Sequence, residues 1–202
     1  MWRSGLLLLA FTLVAIGCGE KVAQLPRLGA NDVVVAFGDS LTYGTGAAEH
    51  ESYPAVLAEL IGRRVVRAGV PGEVTAQGLR RLPAVLDEYH PRLVIVCLGG
   101  NDMLRKIHPS QTKRNLKAML QELKRRGIST VLVGVPKPAL LASAADFYSD
   151  LAREFGVPYE AEIVTSVLYA SELKSDPIHP NAMGYRKMAE ALAKLLREAG
   201  AV

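Results

Sequence analysis

The chain has 202 residues, half of them hydrophobic, with a formal net charge of +4 and a pI of about 9.1. Without repeats or low-complexity tracts, this length and composition predict one domain with a sizeable core. The basic residues occur in scattered pairs such as Arg63 with Arg64. No basic run is interleaved with aromatic residues, so nucleic acid is not an expected partner, whereas weak attraction to anionic lipid headgroups stays open.

The first segment of the chain predicts the compartment. Arg3 precedes an apolar run over residues 6–16, which has the length of a signal-peptide core and is too short to span a bilayer comfortably. The run ends in Ala-Ile-Gly-Cys at positions 15–18, which resembles a bacterial lipoprotein signal. We expect 1–17 to be a signal peptide, 18–30 a tether lipidated on Cys18, and the mature protein to sit in the cell envelope, facing the periplasm or exterior. Ordinary secretion of a soluble form is the alternative.

The two cysteines are consistent with that expectation. If Cys18 carries lipid, only Cys97 remains, within the apolar run Leu-Val-Ile-Val-Cys-Leu. A single thiol cannot form an internal disulfide, and a cysteine in a buried strand acts as a small apolar side chain. We therefore expect no disulfide.

Strand and helix patterns alternate through the rest of the chain. Short apolar, β-branched runs predict strands at 33–37, 64–68, 93–98 and 130–135, with a short last strand that begins at 157–158. Helical periodicity is found at 53–61, 74–89, 111–126, 143–155 and 181–198. This alternation predicts one α/β domain over 31–202, with a parallel sheet between two helical layers.

Three polar or glycine positions follow successive predicted strands. Ser40 follows the first strand in Gly-Asp-Ser, Gly72 follows the second, and Asn101 follows the third in Gly-Gly-Asn-Asp. Parallel strands end at the same edge of a sheet, where ligands bind, so these residues should share one rim. His179 lies in the loop before the last helix and can reach that rim.

These residue types fit acyl transfer. A serine hydroxyl needs a base, and the base needs a third group to orient it. Ser40, His179 and Asp176, three residues before the histidine, can fill these roles, with the N–H groups of Ser40 and Gly72 and the Asn101 amide as oxyanion donors. Taken singly, each has an ordinary interpretation as a turn, cap or loop residue.

In their order along the chain, the four blocks around Ser40, Gly72, Asn101 and His179 resemble the SGNH (GDSL-type) serine hydrolases, near the lysophospholipase/thioesterase I and arylesterase branch. The resemblance implies a flavodoxin-like three-layer α/β/α sandwich with a mostly parallel, five-stranded sheet. It also implies Asp176 as the triad acid and a reaction without metal or organic cofactor. The chain departs from many members at Arg67, which stands where they carry asparagine.

Two interpretations from other classes remain open. Gly-Asp and Gly-Asn-Asp also occur in two-metal phosphoesterases, but the four histidines form no Asp-x-His or His-x-His cluster. A non-catalytic envelope lipoprotein that binds glycan or lipid is the second interpretation.

The substrate is predicted only as a class. We expect a monomer with an open groove that hydrolyses short- or medium-chain esters, thioesters or lysophospholipids. Acetyl esters of carbohydrate or peptidoglycan are the main competitor. Leu140, Leu141 and the segment 164–169 are candidates for an acyl pocket.

Overall fold

The computed structural model describes residues 22–137 and 143–202. The predicted signal peptide, Cys18, Leu140 and Leu141 lie outside the described residues. Among the described residues, no helix combines the length and apolar composition that crossing a membrane requires.

Five strands form one parallel sheet with the order β2-β1-β3-β4-β5. The strands are β1 (Val33–Gly38), β2 (Arg64–Gly69), β3 (Leu93–Cys97), β4 (Ser129–Val133) and β5 (Tyr159–Glu160). β1 and β3 are buried almost along their whole length, as strands covered on both faces must be. The predicted α/β fold with its central sheet is confirmed, and all pairings between these strands are parallel.

Eight α-helices accompany the sheet within the described ranges. They are α1 (Ser40–Tyr43), α2 (Tyr53–Ile61), α3 (Thr75–Tyr89), α4 (Gly100–Leu104), α5 (Pro109–Arg125), α6 (Asp146–Phe155), α7 (Ile163–Tyr169) and α8 (Ala182–Glu198). Two 3₁₀ turns cover Glu49–Glu51 and Ser171–Leu173. The long helices bury their apolar faces against the sheet in one continuous core.

Among the predicted boundaries that differ from the structure, two have an identifiable reason. The last strand was predicted to begin at 157–158 but begins at Tyr159, because Val157 N–H still closes α6 on Ala152 O and Pro158 has no N–H to donate. The helix predicted from 143 begins at Asp146, because Ala144 and Ala145 are held extended against the segment after β4.

The strand register brings three loops to one edge. Gly38 at the end of β1 lies level with Gly69 at the end of β2 and with Cys97 at the end of β3. The residues after these strands therefore start at the same height above the sheet. This register places Ser40, Gly72 and Asn101 on a common rim.

Candidate active site

Ser40 is the first residue of α1, in a tight turn directly after β1. The turn needs Gly38, because a Cβ there would lie 2.2 Å from the carbonyl oxygen of Cys97. Asp39 caps the helix by accepting a hydrogen bond from Leu41 N–H at 3.1 Å. The serine side chain is thereby presented at the carboxyl end of β1.

The imidazole of His179 lies between Ser40 and Asp176. Its Nε2 is 3.0 Å from Oγ of Ser40 and its Nδ1 is 2.7 Å from Oδ2 of Asp176. A carboxylate can only accept a hydrogen bond, so Nδ1 carries the proton and donates the bond to Asp176, which leaves Nε2 as the acceptor facing the hydroxyl. The three side chains therefore form a connected relay suited to removing the serine proton.

Asp176 organises its own loop as well as the ring. Its Oδ1 accepts hydrogen bonds from the N–H groups of Ile178 at 2.8 Å and His179 at 2.9 Å. Desolvation opposes ionisation, but the hydrogen bonds from the His179 ring and from these backbone groups outweigh it, so the pKa of Asp176 lies below its usual value. The carboxylate is thus kept charged opposite the ring.

The loop around His179 is fixed at both ends. Ser175 N–H donates to His179 O at 3.0 Å, and Lys174 bridges to Pro180. Asn181 caps α8 by accepting from Gly184 N–H at 3.0 Å, and its Nδ2 donates to Glu172 O at 2.8 Å. These bonds hold the imidazole over the rim.

Gly72 lies in a turn with φ of +76°, a conformation that residues with a Cβ rarely adopt. Its carbonyl oxygen accepts a hydrogen bond from the Arg105 guanidinium at 2.8 Å. The peptide after Gly72 is thereby tied across the cleft to the end of α4, an anchor that the sequence pattern did not predict.

Asn101 lies at the start of α4 and is already hydrogen bonded. Its Nδ2 donates to Asp39 Oδ2 at 3.2 Å and to Glu73 O at 3.1 Å. The amide faces the cleft with its position defined from two neighbouring loops. To bind an anionic carbonyl oxygen, it must share or exchange one of these bonds.

Asp39 is a buried carboxyl, only 2 % exposed. Burial raises its pKa to about 7, the Leu41 N–H opposes that rise, and the nearby Glu73 carboxylate adds to it. The hydrogen bond that Asp39 accepts from Leu41 N–H is the ordinary role of an aspartate in such a turn. The structure adds that Asp39 joins the serine loop to Asn101.

Glu73 and Arg81 form a bidentate ion pair beneath the rim. Arg81 donates from Nε at 2.8 Å and from Nη2 at 2.6 Å to the carboxylate, which is 5 % exposed. The guanidinium also stacks on the Phe37 ring at 4.2 Å and donates to Ala68 O at 3.2 Å. This pair connects the Gly72 loop to β1 and β2.

A cleft of about 450 Å³ opens in front of Ser40. Gly72, Asn101 and His179 line it with the serine. The rest of the lining is largely apolar and comprises Leu41, Leu104, Val135, Pro136, Leu168 and Ile178, with Pro71 and Pro177. Of the candidates for an acyl pocket, Leu168 lies in this lining, whereas Leu140 and Leu141 are outside the described residues.

Arg67 lies beside the rim. Its guanidinium stacks over the Tyr43 ring at 4.6 Å, donates to Tyr43 O at 2.5 Å and pairs with Glu49 at 3.0 Å. These contacts hold the end of α1 against β2. Arg67 thus has a local packing role in the structure.

The part of the chain that the structure describes contains no group of three or more His, Cys, Asp or Glu side chains placed to hold a metal ion. Cys97 is buried in β3 as a free thiol.

Comparison with known proteins gives a consistent result. Residues 36–187 match the GDSL-like lipase/acylhydrolase family. The chain is 34% identical over 179 residues to thioesterase 1/protease 1/lysophospholipase L1 of Escherichia coli K12, covering 85% of this chain and 86% of that protein. It is 28% identical over 196 residues to an arylesterase of Vibrio mimicus, covering 92% and 96%.

Solved structures show the same fold. The SGNH-hydrolase family esterase AlinE4 is 36% identical with a TM-score of 0.67, over 86% of this chain and 98% of that one. A crystal structure of TesA is 27% identical with a TM-score of 0.72, over 83% and 99%. The family match spans most of the chain and includes the serine, glycine, asparagine and histidine blocks. The chain therefore belongs to the GDSL-like lipase/acylhydrolase family and is a hydrolase of ester bonds.

Proposed function

We propose that the protein is a serine esterase that works through an acyl-enzyme on Ser40. The observation that carries this proposal is the His179 ring, whose two nitrogens lie 3.0 Å from Ser40 Oγ and 2.7 Å from Asp176 Oδ2 at the mouth of an apolar cleft. This geometry meets the distance requirement for a base acting on a serine hydroxyl.

In the proposed reaction, Ser40 Oγ attacks the ester carbonyl carbon while its proton passes to Nε2 of His179. The Asp176 carboxylate stabilises the imidazolium that forms. The histidine then protonates the leaving alcohol or thiol, and the carbon–oxygen or carbon–sulfur bond breaks. Water repeats the sequence on the acyl-enzyme, releasing the acid and restoring the Ser40 hydroxyl.

The carbonyl oxygen becomes anionic in both steps. We assign its stabilisation to the N–H groups of Ser40 and Gly72 and to the Asn101 amide, since all three residues line the cleft beside the serine. Removing one such donor typically lowers the rate by about 10²- to 10³-fold. The hydrogen bond that Asn101 donates to Asp39 sets where that amide points.

Short- or medium-chain carboxylic esters, with thioesters and lysophospholipids, are the proposed substrates. The apolar lining of the cleft suits an acyl chain longer than acetyl. The names of the Escherichia coli and Vibrio relatives support the same range of leaving groups. A carbohydrate or peptidoglycan O-acetylesterase, which has less need of an apolar wall, is the competing function.

A hydrolysis panel distinguishes these substrates. The acyl chain is varied from acetyl to dodecanoyl on one alcohol, and the alcohol is then varied among aryl, thiol, glycerophosphoryl and acetylated polysaccharide. We expect kcat/KM to be higher for medium chains than for acetyl, with Ser40→Ala as the inactive control. A preference for acetylated polysaccharide over every soluble acyl ester would contradict the proposed substrate class.

We also propose that the mature protein is held in the cell envelope by lipid on Cys18, a residue outside the described ranges. The lipoprotein-like Ala-Ile-Gly-Cys sequence supports this proposal. Cys18→Ser is expected to move the protein from the membrane to the soluble fraction while kcat/KM for a soluble ester stays unchanged. Intact-mass analysis showing an unmodified mature N-terminus downstream of Cys18 would reject the anchor.

A further inference from the structure

The segment before β1 is bound to the end of the last helix. Leu25 N–H donates to Ala199 O and Leu28 N–H to Ala201 O, both at 2.8 Å. Gln24 Nε2 donates to Glu198 O at 3.2 Å. Leu28 is only 2 % exposed, so the segment is packed into the core at this point. The N-terminal part of the described chain therefore has a defined place on the domain.

That place is at the opposite end of α8 from the cleft. α8 begins three residues after His179 and ends at Glu198, and its 17 residues span roughly 25 Å at about 1.5 Å per residue. The direction of β1 leads to the same conclusion. The bound segment leads into the start of β1, whereas Ser40 follows its end. The chain thus enters the domain at the edge farthest from the candidate active site.

Covalent geometry limits how far Cys18 can lie from this edge. Four residue steps separate Cys18 from Val22, the first described residue. At no more than about 3.6 Å per residue, they reach about 14 Å, whatever conformation they adopt. Val22 itself lines a groove with Gly156, Tyr159 and Leu195, against β5 and the last turns of α6 and α8, and it is not part of the cleft lining. The anchor is therefore held near that side of the domain, which favours a bilayer away from the mouth of the cleft.

The loops at the same far edge carry basic side chains. Arg27 precedes β1, Arg64 begins β2, Arg92 precedes β3 and Lys124 lies near the end of α5, before β4; all four are exposed. Arg197, exposed near the end of α8, adds a further positive charge. Anionic headgroups attract such residues within a Debye length of the surface. Asp87, Glu88 and Glu198 are exposed at the same edge and offset part of this charge, so the chain geometry carries the orientation and the basic residues add a smaller attraction.

We propose that the domain rests on its membrane through this basic edge, with the cleft directed away from the bilayer that holds its lipid anchor. The enzyme then hydrolyses esters that arrive from the aqueous side, such as monomeric lysophospholipids or acyl thioesters in solution. It does not hydrolyse lipid esters resident in its own bilayer. This inference rests on the proposed anchor and, for its substrate, on the proposed esterase.

The orientation can be measured without relying on activity or on cellular acylation. The chain beginning at Cys18, which contains every described residue, is coupled through that thiol to maleimide lipid in vesicles. Cys97 is 0 % exposed and does not compete. The chain has a single tryptophan, Trp2, before the coupling site, so an introduced tryptophan is the only one. Met183→Trp reports the cleft end of α8 and Glu198→Trp the far end.

The vesicles contain phosphatidylglycerol and brominated phosphatidylcholine, which quenches tryptophan fluorescence on contact. We expect strong loss of fluorescence from the Glu198→Trp protein and little from the Met183→Trp protein. Quenching of Met183→Trp equal to or greater than that of Glu198→Trp would overturn the proposed orientation. Uncoupled proteins with the same vesicles measure how much the basic edge contributes without the tether.

A second arm tests the consequence for substrates. A long-chain fluorogenic ester that stays in the bilayer is placed in the vesicles that carry the coupled protein. A flexible Gly-Ser insertion of about 20 residues after Gly19 gives a tether long enough to reach around the domain. We expect the insertion to raise hydrolysis of the resident ester several-fold and to leave hydrolysis of a water-soluble ester unchanged. Equal hydrolysis of the resident ester with both tethers would contradict the inference, whereas loss of soluble-ester hydrolysis would contradict the proposed function instead.

Discussion

The buried carboxyl of Asp39 accepts a hydrogen bond from the side-chain amide of Asn101 at 3.2 Å. The bond joins the loop after β1 to the loop after β3, two segments that are adjacent only because their strands pair. Since Asp39 also accepts from Leu41 N–H at 3.1 Å, one side chain positions both the turn that presents Ser40 and an assigned oxyanion donor.

Replacing Asp39 with asparagine should change how stability depends on pH. The pKa of Asp39 is raised from 3.8 to about 7 by burial, so the folded protein keeps a proton that the unfolded chain releases between those pH values. This stabilising contribution is complete below about pH 4 and is lost as pH rises toward 7. Relative to Asp39→Asn, the free energy of unfolding of the wild type should fall across this window by on the order of 4 kcal/mol.

Urea unfolding of both proteins between about pH 4 and pH 8 measures this difference. Parallel pH profiles for the two proteins would show that Asp39 does not titrate in this window. Asp32→Asn, at a half-buried aspartate before β1 that accepts a hydrogen bond from Gly29 N–H at 2.8 Å, is a control for the loss of a carboxylate elsewhere.

Replacing Arg81 should lower the free energy of unfolding. Arg81→Met leaves the Glu73 carboxylate, 5 % exposed, without its bidentate partner. Breaking a buried ion pair in this way costs about 3 to 5 kcal/mol, and exposure of Arg81 itself places the expected loss near the lower value. Chemical unfolding measures it, with the exposed neighbour Arg80→Met as the matched control. Equal stability of the two variants would refute a structural role for the pair.

Gly72→Ala should lower kcat, whereas its effect on stability should match that of alanine at a glycine away from the cleft. Gly72 has φ of +76°, so a Cβ there forces the turn to shift and moves its N–H. Gly62→Ala provides a matched control, because Gly62 has φ of +61°, a Cβ added there would meet no atom within 4 Å, and it is far from the cleft. We expect both variants to lose comparable stability and only Gly72→Ala to lose kcat, by about 10²-fold if an oxyanion donor is displaced. Similar kcat values for the two variants would show that the Gly72 N–H is not an oxyanion donor.

Replacing Asp176, the acid of the proposed triad, should lower kcat. Asp176→Asn places an amide opposite Nδ1 of His179 and loses the charge that stabilises the imidazolium, with a reduction of kcat reaching about 10⁴-fold in comparable sites. KM should change little, because Asp176 does not line the cleft. Glu172→Gln, an exposed nearby carboxylate, is the control, and steady-state kinetics of folded variants provide the measurement. Unchanged kcat in Asp176→Asn would show that another group orients the ring.

Sequence periodicity predicted the long elements well, because their signals are local. The helix over 53–61 was predicted with the bounds it has, since Pro54 lies at its start and Gly62 ends it in the left-handed conformation. The short helices α1, α4 and α7 were missed because four to seven residues are too few for a helical period to emerge.

The common rim of Ser40, Gly72 and Asn101 was predictable from topology, since parallel strands end at one edge. The contacts that support the rim were not. The hydrogen bonds from Asn101 to Asp39 and from Arg105 to Gly72 depend on strand register and rotamers, which no local pattern encodes. Arg81 gave no sequence signal either, because an arginine in a polar helix pattern is ordinarily solvated.

Covalent labelling of Ser40 tests most directly whether this residue is the nucleophile. The wild-type protein is treated with a fluorophosphonate, and the adduct is located by intact mass and peptide mapping, with Ser40→Ala and the exposed-serine variant Ser110→Ala as controls. We expect one adduct on Ser40, formed equally by wild type and Ser110→Ala, and neither labelling nor ester hydrolysis in a folded Ser40→Ala protein. Hydrolysis of medium-chain esters by Ser40→Ala at the wild-type rate, or an adduct mapped to another residue, would contradict this assignment.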